Sequence, residues 1–409
     1  MLIYDEKEVF VLKSNQVRIL LSALLVAVLA FSAAFPAFAE QTTSGIQYTT
    51  DSAKKTAQIT GYTGISANLS IPSKIDGYTV TSLKSEAFKG HNTIVALSIP
   101  DTVTSIGSEC FSGCTLLYTL ELGNDISSIG KGAFKNCIAL RSIALPSGLS
   151  KLEDELFSGC KNLSSFSRYP STIKTIGERT FYGCVSLPSK LTIPTSTTTV
   201  GNEAFAGCTS LESVSIGKGL TAVNGAAFSG CTGIKEFNVE DGASFSTNKG
   251  VLFNKEGTRL IAYPAGSSAE EYTVGDKVTS IGANAFDSCK NLKKLHIPAT
   301  VKTIVEPAVK NCKNLAIYVE RKSPAQTYLL AHEAEYSALK YSDALPGDVN
   351  NDGEVDNADV ILLRRYVAKW KNINIQTDAA DVNKDSEIDN ADVILLRRYV
   401  AGWKNVTLK

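Results

Sequence analysis

Eight cysteines of this chain, at positions 114, 137, 160, 184, 208, 231, 289 and 312, fall at intervals of 23, 23, 24, 24, 23, 58 and 23 residues. Phe88, Phe111, Phe134, Phe157, Phe181, Phe205, Phe228 and Phe286 each stand three residues before the cysteine slot, which His91 fills in the first unit, while Val309 takes the phenylalanine slot in the last. The unit reads Leu-x-x-Leu-x-Ile-Pro-x-x-Val-x-x-Ile-Gly-x-x-Ala-Phe-x-Gly-Cys. A period of this size predicts a solenoid, because one such unit cannot bury its own apolar slots and stacking joins them into a continuous core. In Leu292-Lys-Lys-Leu295-His296-Ile297-Pro298 the alternation points Leu295 and Ile297 inward on a short strand, and the proline ends it.

The cysteines occupy the same kind of slot and are expected as small buried hydrophobes with unreactive thiols. Stacked strands lie about 4.8 Å apart, within the Cα range a disulfide tolerates, so the sequence alone leaves rung-to-rung bridges open. Cys110 replaces the alanine of Ala-Phe in its unit and reads as a packed substitution.

The repeated unit resembles the BspA-like leucine-rich repeats of bacterial surface and secreted proteins. That resemblance implies a leucine-rich-repeat solenoid of short parallel strands with turns or short helices, and a protein-binding or adhesive role. Residues 40–92 are expected to hold an N-terminal capping region and the first repeat, and 93–320 the repeats proper. The 58-residue interval exceeds the period by 35 residues, and an insertion near 242–274 accounts for them. Within it Gly250 to Pro264 reads as a hairpin around Asn254-Lys-Glu-Gly257. A closing helix is expected from Ser323 to Lys340, inside a closing segment and linker of 321–345. Outward strand positions, where a ligand would meet the repeats, are Ser98, Glu121, Ala144, Thr192, Ser215, Asn238 and His296, flanked by Tyr118, Arg141, Lys293 and Lys294. The face is small, polar and irregular, with only Tyr118 as an aromatic platform of the sort a sugar ring would use.

Beyond the repeats the chain states one motif twice, 33 residues apart: Asp348-Val-Asn350-Asn-Asp352-Gly353-Glu-Val-Asp356-Asn-Ala-Asp359 and Asp381-Val-Asn383-Lys-Asp385-Ser386-Glu-Ile-Asp389-Asn-Ala-Asp392. Each copy runs into Val-Ile-Leu-Leu-Arg-Arg-Tyr-Val-Ala, which reads as helix. Oxygen side chains at loop positions 1, 3, 5, 9 and 12 suit a hard cation such as Ca²⁺. No helix of ordinary length precedes either loop, and aspartate stands at position 12. Residues 346–409 thus resemble a small all-α type I dockerin, the module by which secreted proteins dock onto cohesins of a cellulosome scaffoldin.

The dockerin resemblance implies two Ca²⁺ ions. Asp348, Asn350, Asp352 and Asp359 would hold one, with the Glu354 carbonyl and a water on Asp356. Asp381, Asn383, Asp385 and Asp392, with the Glu387 carbonyl and Asp389, would hold the other. It implies cohesin contacts at Asn357, Ala358, Arg364, Arg365 and Lys369, repeated at Asn390, Ala391, Arg397 and Arg398, with Gly402 in place of the second lysine. The identical halves imply docking in either of two orientations related by a half-turn. Val360, Leu363 and Val367 and their counterparts are expected to form the module's core on another face of the helix. Ser386 replaces the glycine usual at position 6, which predicts weaker binding at the second loop.

At the other end, Lys13 to Arg18 form a basic stretch, Ile19 to Phe35 an apolar run of 17, and Ala37-Phe-Ala39 a small-x-small cleavage site. A signal peptide over 1–39 is expected, and with it secretion and no membrane attachment after cleavage. The run approaches membrane-spanning length, so an uncleaved anchor stays open. Forty-one basic residues balance 41 acidic ones, which disfavours nucleic acid as a partner. Catalysis is not expected: the three histidines His91, His296 and His332 are scattered, and His332-Glu333-Ala-Glu-Tyr336 lacks the second histidine of a zinc-protease helix. The sequence leaves two rivals to a scaffold-docked, non-catalytic binding protein. One is an enzyme or enzyme inhibitor carried by the same dockerin. The other is a freestanding surface adhesin that the Ca²⁺ module merely stabilises.

Overall fold

The computed structural model describes residues 45–409 apart from Asn224, Glu333, Ala334 and Asp343. The expected signal segment 1–39 lies outside the described residues, as do residues 40–44 of the capping region. Among the described residues no helix is long and apolar enough to cross a membrane.

The alternating Leu-x-Ile and the later Val-x-x-Ile of each unit give two short strands per turn, and runs of successive turns pair these in parallel, like strand with like. Asn68–Ser70, Ala96–Ser98 and Thr119–Glu121 form the first kind of ladder, with Leu69, Leu97 and Leu120 in register. Tyr78–Leu83, Ser105–Ile106 and Ser128–Ile129 form the second, with Leu83, Ile106 and Ile129 in register. Antiparallel pairing of Ile46–Asp51 with Thr56–Tyr62 covers the N-terminal end of this second ladder. Ile-Gly brings neighbouring turns close: a Cβ on Gly107 would lie 2.3 Å from the Ser85 nitrogen.

The third side of each turn carries the Ala-Phe-x-Gly-Cys segment. Phenylalanine rings stack along the axis from Phe88 through Phe111, Phe134, Phe157, Phe181 and Phe205 to Phe228, with centroids 4.9 to 5.9 Å apart. All nine cysteines are buried with free thiols. Their slot does more than fill space. The Cys137 thiol donates to the Phe111 carbonyl at 3.3 Å and Cys160 to Phe134 at 3.1 Å, with the same bond at Cys114, Cys184, Cys208, Cys231 and Cys312. Each of these thiols therefore ties one turn to the last, adding a second donor to a buried carbonyl that in most turns already accepts a backbone N–H.

The insertion forms a three-stranded meander, with Val251–Asn254 paired to Phe245–Asn248 on one side and to Arg259–Ala262 on the other. Its second and third strands carry buried apolar residues on both faces. Leu252, Ile261 and Ala262 join the core of the preceding turns, whereas Val251, Phe253, Leu260 and Tyr263 join a separate core that runs to Tyr336. Strand alternation thus makes the insertion a partition between two buried cores. Tyr263 stacks on Phe286 at 5.5 Å and restarts the ring column.

The closing segment differs from the expected helix over Ser323 to Lys340. Ser323 caps a helix, α1, of only Pro324–Leu330, its hydroxyl accepting from Gln326 N. Tyr336–Tyr341 is instead a strand, paired in parallel with Cys312–Val319. The open edge of that strand prevails over the helix propensity of the intervening residues.

Beyond it lie α2 (Asn357–Val367), the single turn α3 (Thr377–Ala380) and α4 (Asn390–Val400). Val349, Val360, Leu363, Ala380, Val382 and Leu396 are buried between them, with Val367, Val393 and Val400 packed alongside. Lys409 N donates to the Val382 carbonyl at 3.0 Å, so the end of the chain closes back on the second loop.

Candidate metal centre and binding faces

Each acidic loop is closed by amides donating to its own carboxylates. In the first, Asp348 Oδ1 accepts from Asp352 N and Oδ2 from Gly353 N, both at 3.0 Å. Asn350 Oδ1 accepts from Asp352 N at 2.8 Å and Asp352 Oδ1 from Glu354 N at 3.0 Å. Asp359, fully buried, accepts from Asn350 N at 3.0 Å and Asp356 N at 2.9 Å, which folds the last loop position back over the third. The second loop repeats this: Asp381 accepts from Asp385 N and Ser386 N, Asn383 from Asp385 N, Asp385 from Glu387 N, and Asp392 from Val382 N and Asp389 N.

Loop positions 9 and 12 have a further role that the ligand spacing did not reveal. Asp356 and Asp389 are the N-caps of α2 and α4, and Asp359 and Asp392 close reciprocal capping boxes. The Asp-x-x-Asp spacing before an apolar run was the available signal. An aspartate at position 12 is thus a loop-closing residue and a helix start at once.

Burial raises the Asp348 carboxyl above the usual carboxylate range, with neighbouring Asp359 adding to the rise and Gly353 N–H and Arg321 opposing it. Burial likewise raises Asp359, and Asp352 adds to it. Arg321, which follows the strand Cys312–Val319, forms an ion pair with Asp348. This contact between solenoid and loop spans 27 residues and left no trace in local sequence.

The oxygen-only donor set, with two buried carboxylates that disfavour their own charge, fits a hard divalent cation. Among the described residues no three acidic, histidine or cysteine side chains converge by themselves into a metal cage. The three aspartates expected to hold an ion in the first loop, Asp348, Asp352 and Asp359, are instead engaged by the loop's own amides.

Behind the loops, Asn357, Ala358, Arg364, Arg365 and Lys369 are all exposed, as are Asn390, Ala391, Arg397 and Arg398. Both helices end in the same cap: Lys369 N donates to the Tyr366 carbonyl and Trp370 N to Arg365, matched by Gly402 to Tyr399 and Trp403 to Arg398. Such a cap puts its central residue in the left-handed region. Lys369 has φ +58° there and Gly402 φ +71°, which is the physical reason glycine can replace the lysine. Trp370 and Trp403 are each 60% exposed, with the Arg365 and Arg398 guanidiniums 5.5 and 5.3 Å over their rings. Sequence reading had not placed these ring and cation pairs on the exposed face.

On the repeat face, the Arg141 guanidinium stacks over Tyr118 at 5.3 Å. Tyr318, overlooked in the sequence, packs on His296 at 4.5 Å. Of the isolated histidines, His332 lies at the end of α1, its Nδ1 donating to the Tyr328 carbonyl at 2.7 Å and its Nε2 lying 2.9 Å from Glu306. The Glu333 of its motif lies outside the described residues.

Two family descriptions match the chain. The BspA type leucine rich repeat region matches over residues 81–189, 127–256 and 262–325. The dockerin type I domain matches over 346–401. Among solved structures, a leucine rich cell surface protein from Faecalibacterium prausnitzii is 25% identical, with 71% of this chain and 77% of that chain covered and a TM-score of 0.51. The leucine rich repeat protein of T. pallidum is 25% identical over 62% of this chain and 91% of that one, with a TM-score of 0.38. A leucine-rich repeat protein from Bacteroides ovatus is 22% identical over 71% of each chain, with a TM-score of 0.45. No curated protein matches.

Proposed function

The chain belongs to the BspA-type leucine-rich-repeat family and ends in a type I dockerin domain, and from that premise we propose that it is a secreted, non-catalytic binding protein docked onto a scaffoldin. The dockerin makes it a calcium-binding, cohesin-docking component in general terms. Our reading adds two ions, one per loop. Asp348, Asn350, Asp352, Asp359 and the Glu354 carbonyl hold the first, with Asp356 acting through water. Asp381, Asn383, Asp385, Asp392, the Glu387 carbonyl and Asp389 serve the second.

The ion supplies charge compensation for buried carboxylates and a rigid loop. The chain's own residues do the rest. Asp356 and Asp389 start the helices, and the helices present Arg364, Arg365 and Lys369, or Arg397 and Arg398, to a cohesin. Asn357 with Ala358, and Asn390 with Ala391, lie at the loop ends beside them. The solenoid carries a protein or surface ligand, with secretion directed by residues 1–39. The description of the Faecalibacterium relative as a cell surface protein supports an extracellular setting.

The observation that carries this reading is the repetition itself, two oxygen-rich loops closed by the same bonds and leading into helices with the same exposed cations. The test is retention of purified cohesins by the immobilised full chain, with Ca²⁺ and with a chelator. Calcium-dependent retention, lost when both arginine pairs are replaced by alanine, is expected. Absence of retention from a chain whose dockerin is folded, as shown by protease resistance in Ca²⁺, would remove the docking role.

A further inference from the structure

We propose that the cleft between the insertion meander and the strand Glu271–Thr273 binds an extended polypeptide segment, which pairs with the open edge of that strand. The proposal rests on the reading of the solenoid as a binding module and names what one part of it binds.

In the first ladder Ser213–Ile216 lies between Lys190–Ile193 and Glu236–Val239, while strands such as Thr119–Glu121 and Ser142–Ala144 pair on one side only. The insertion interrupts this. Glu240 N bonds back to the Ile216 carbonyl, while Phe237 N points forward and donates to the Gly250 carbonyl at 2.9 Å. The forward edge of Glu236–Val239 is thus taken up by the insertion. Nothing comparable covers the other side of the gap. Glu271–Thr273 pairs with Lys294–Ile297 alone and is the edge strand of its sheet.

The direction of its bonds follows from two of them. Lys294 N donates to the Glu270 carbonyl at 3.0 Å and Val274 N to the His296 carbonyl at 2.9 Å. In a parallel pair alternate residues face the partner strand, so the backbone groups of Glu270, Tyr272 and Val274 face forward and those of Glu271 and Thr273 face back. They face a cavity of ≈ 660 Å³, which both residues line. Its opposite wall is Ser246 to Lys249, mostly from Phe245–Asn248, itself an edge strand.

Alternating backbone donors and acceptors on a strand edge are matched by another extended backbone, which is how peptides add to exposed sheet edges. A glycan or a nucleic acid has no such periodic amide. Tyr263, Tyr272 and Phe253 line the cavity and offer an apolar seat for one side chain of the segment. Lys249, Lys255 and Lys277 at the rim are balanced by Glu256, Glu271 and Asp276, which gives no attraction for a polyanion. Three residues of strand span about 10 Å, so the paired stretch is short.

The test pans phage-displayed random heptapeptides on the full chain in Ca²⁺. Enriched peptides are then synthesised and titrated against the wild-type chain, Thr273→Pro and Thr273→Ala. Proline removes only the Thr273 N–H, which faces the cleft, and leaves the bonds to Lys294–Ile297 with Tyr272 and Val274. We expect Thr273→Pro to weaken binding at least tenfold and Thr273→Ala to leave it within about twofold. On the wild-type chain, N-methylation of alternate peptide residues should abolish binding with a period of two. This second measurement does not depend on how the proline variant folds. Peptides that bind Thr273→Pro as well as wild type, or that tolerate every N-methylation, would overturn the cleft assignment while leaving the solenoid a binding module. Failure to enrich any peptide would overturn it as well.

Discussion

Ser386→Gly removes the residue difference at loop position 6 between the two acidic loops. Position 6 is left-handed in both, with φ +99° at Gly353 and +72° at Ser386. The same bond imposes it, since Gly353 N and Ser386 N each donate to the first aspartate of their loop at 3.0 Å. A side chain in that region costs roughly 1–2 kcal/mol. Glycine returns about 0.5–1 kcal/mol of this through its greater freedom in the open loop. The net gain for Ser386→Gly is then about 0.5–1 kcal/mol. Ion binding selects the closed loop, so the second site should tighten roughly two- to fivefold. Gly353→Ser should weaken the first site by a similar factor. Calorimetric Ca²⁺ titration of the chelator-stripped full chain reads both sites. If Ser386→Gly leaves both binding steps unchanged, or weakens the second, loop closure does not carry this strain and the reasoning fails.

Phe157 is fully buried between Phe134 at 5.9 Å and Phe181 at 5.6 Å. Phe157→Ala should cost about 3–5 kcal/mol in denaturant unfolding, and a loss below about 1 kcal/mol would mean that the ring column does not hold the turns together. Burial pushes the Cys160 thiol up to about 12, so native protein at pH 8 should resist a thiol-specific disulfide reagent and all nine thiols should react after unfolding; fast native labelling would contradict the burial. His332 has its pKa raised, chiefly by its bond to the Tyr328 carbonyl and then by Glu306. A raised histidine pKa stabilises fully below the ordinary value of about 6.5 and loses that contribution as pH rises through the folded value. The Tm advantage of wild type over Glu306→Gln should therefore be larger at pH 6 than at pH 8, and parallel curves would refute it.

What could be read from the sequence follows the range of the forces involved. The loops were legible because their oxygen side chains and closing amides lie within twelve residues, and the solenoid because Phe and Cys recur at a fixed period. The thiol bond to the preceding turn's carbonyl was not, since spacing shows which residues stack but not which atoms meet. Tyr336–Tyr341 was misread because its state is decided by the edge of Cys312–Val319, more than ten residues upstream. The Arg321 contact to Asp348 was hidden for the same reason. The partition formed by the insertion left a usable sign, however: Val251-Leu-Phe253 and Leu260-Ile-Ala-Tyr263 are apolar without alternation, the pattern of strands buried on both faces.

That partition also sets how the molecule yields to force. A solenoid with one uninterrupted core transmits tension turn by turn along its axis, whereas here the column of rings stops at Phe228 and begins again at Tyr263. If the C-terminal end is anchored and the N-terminal end pulled, the turns on either side of the insertion form two mechanical blocks joined by a sheet with one face in each. Stretching a single molecule between its ends should show two separate extension events for the repeats, because both blocks bear the same tension and each core gives way as a unit.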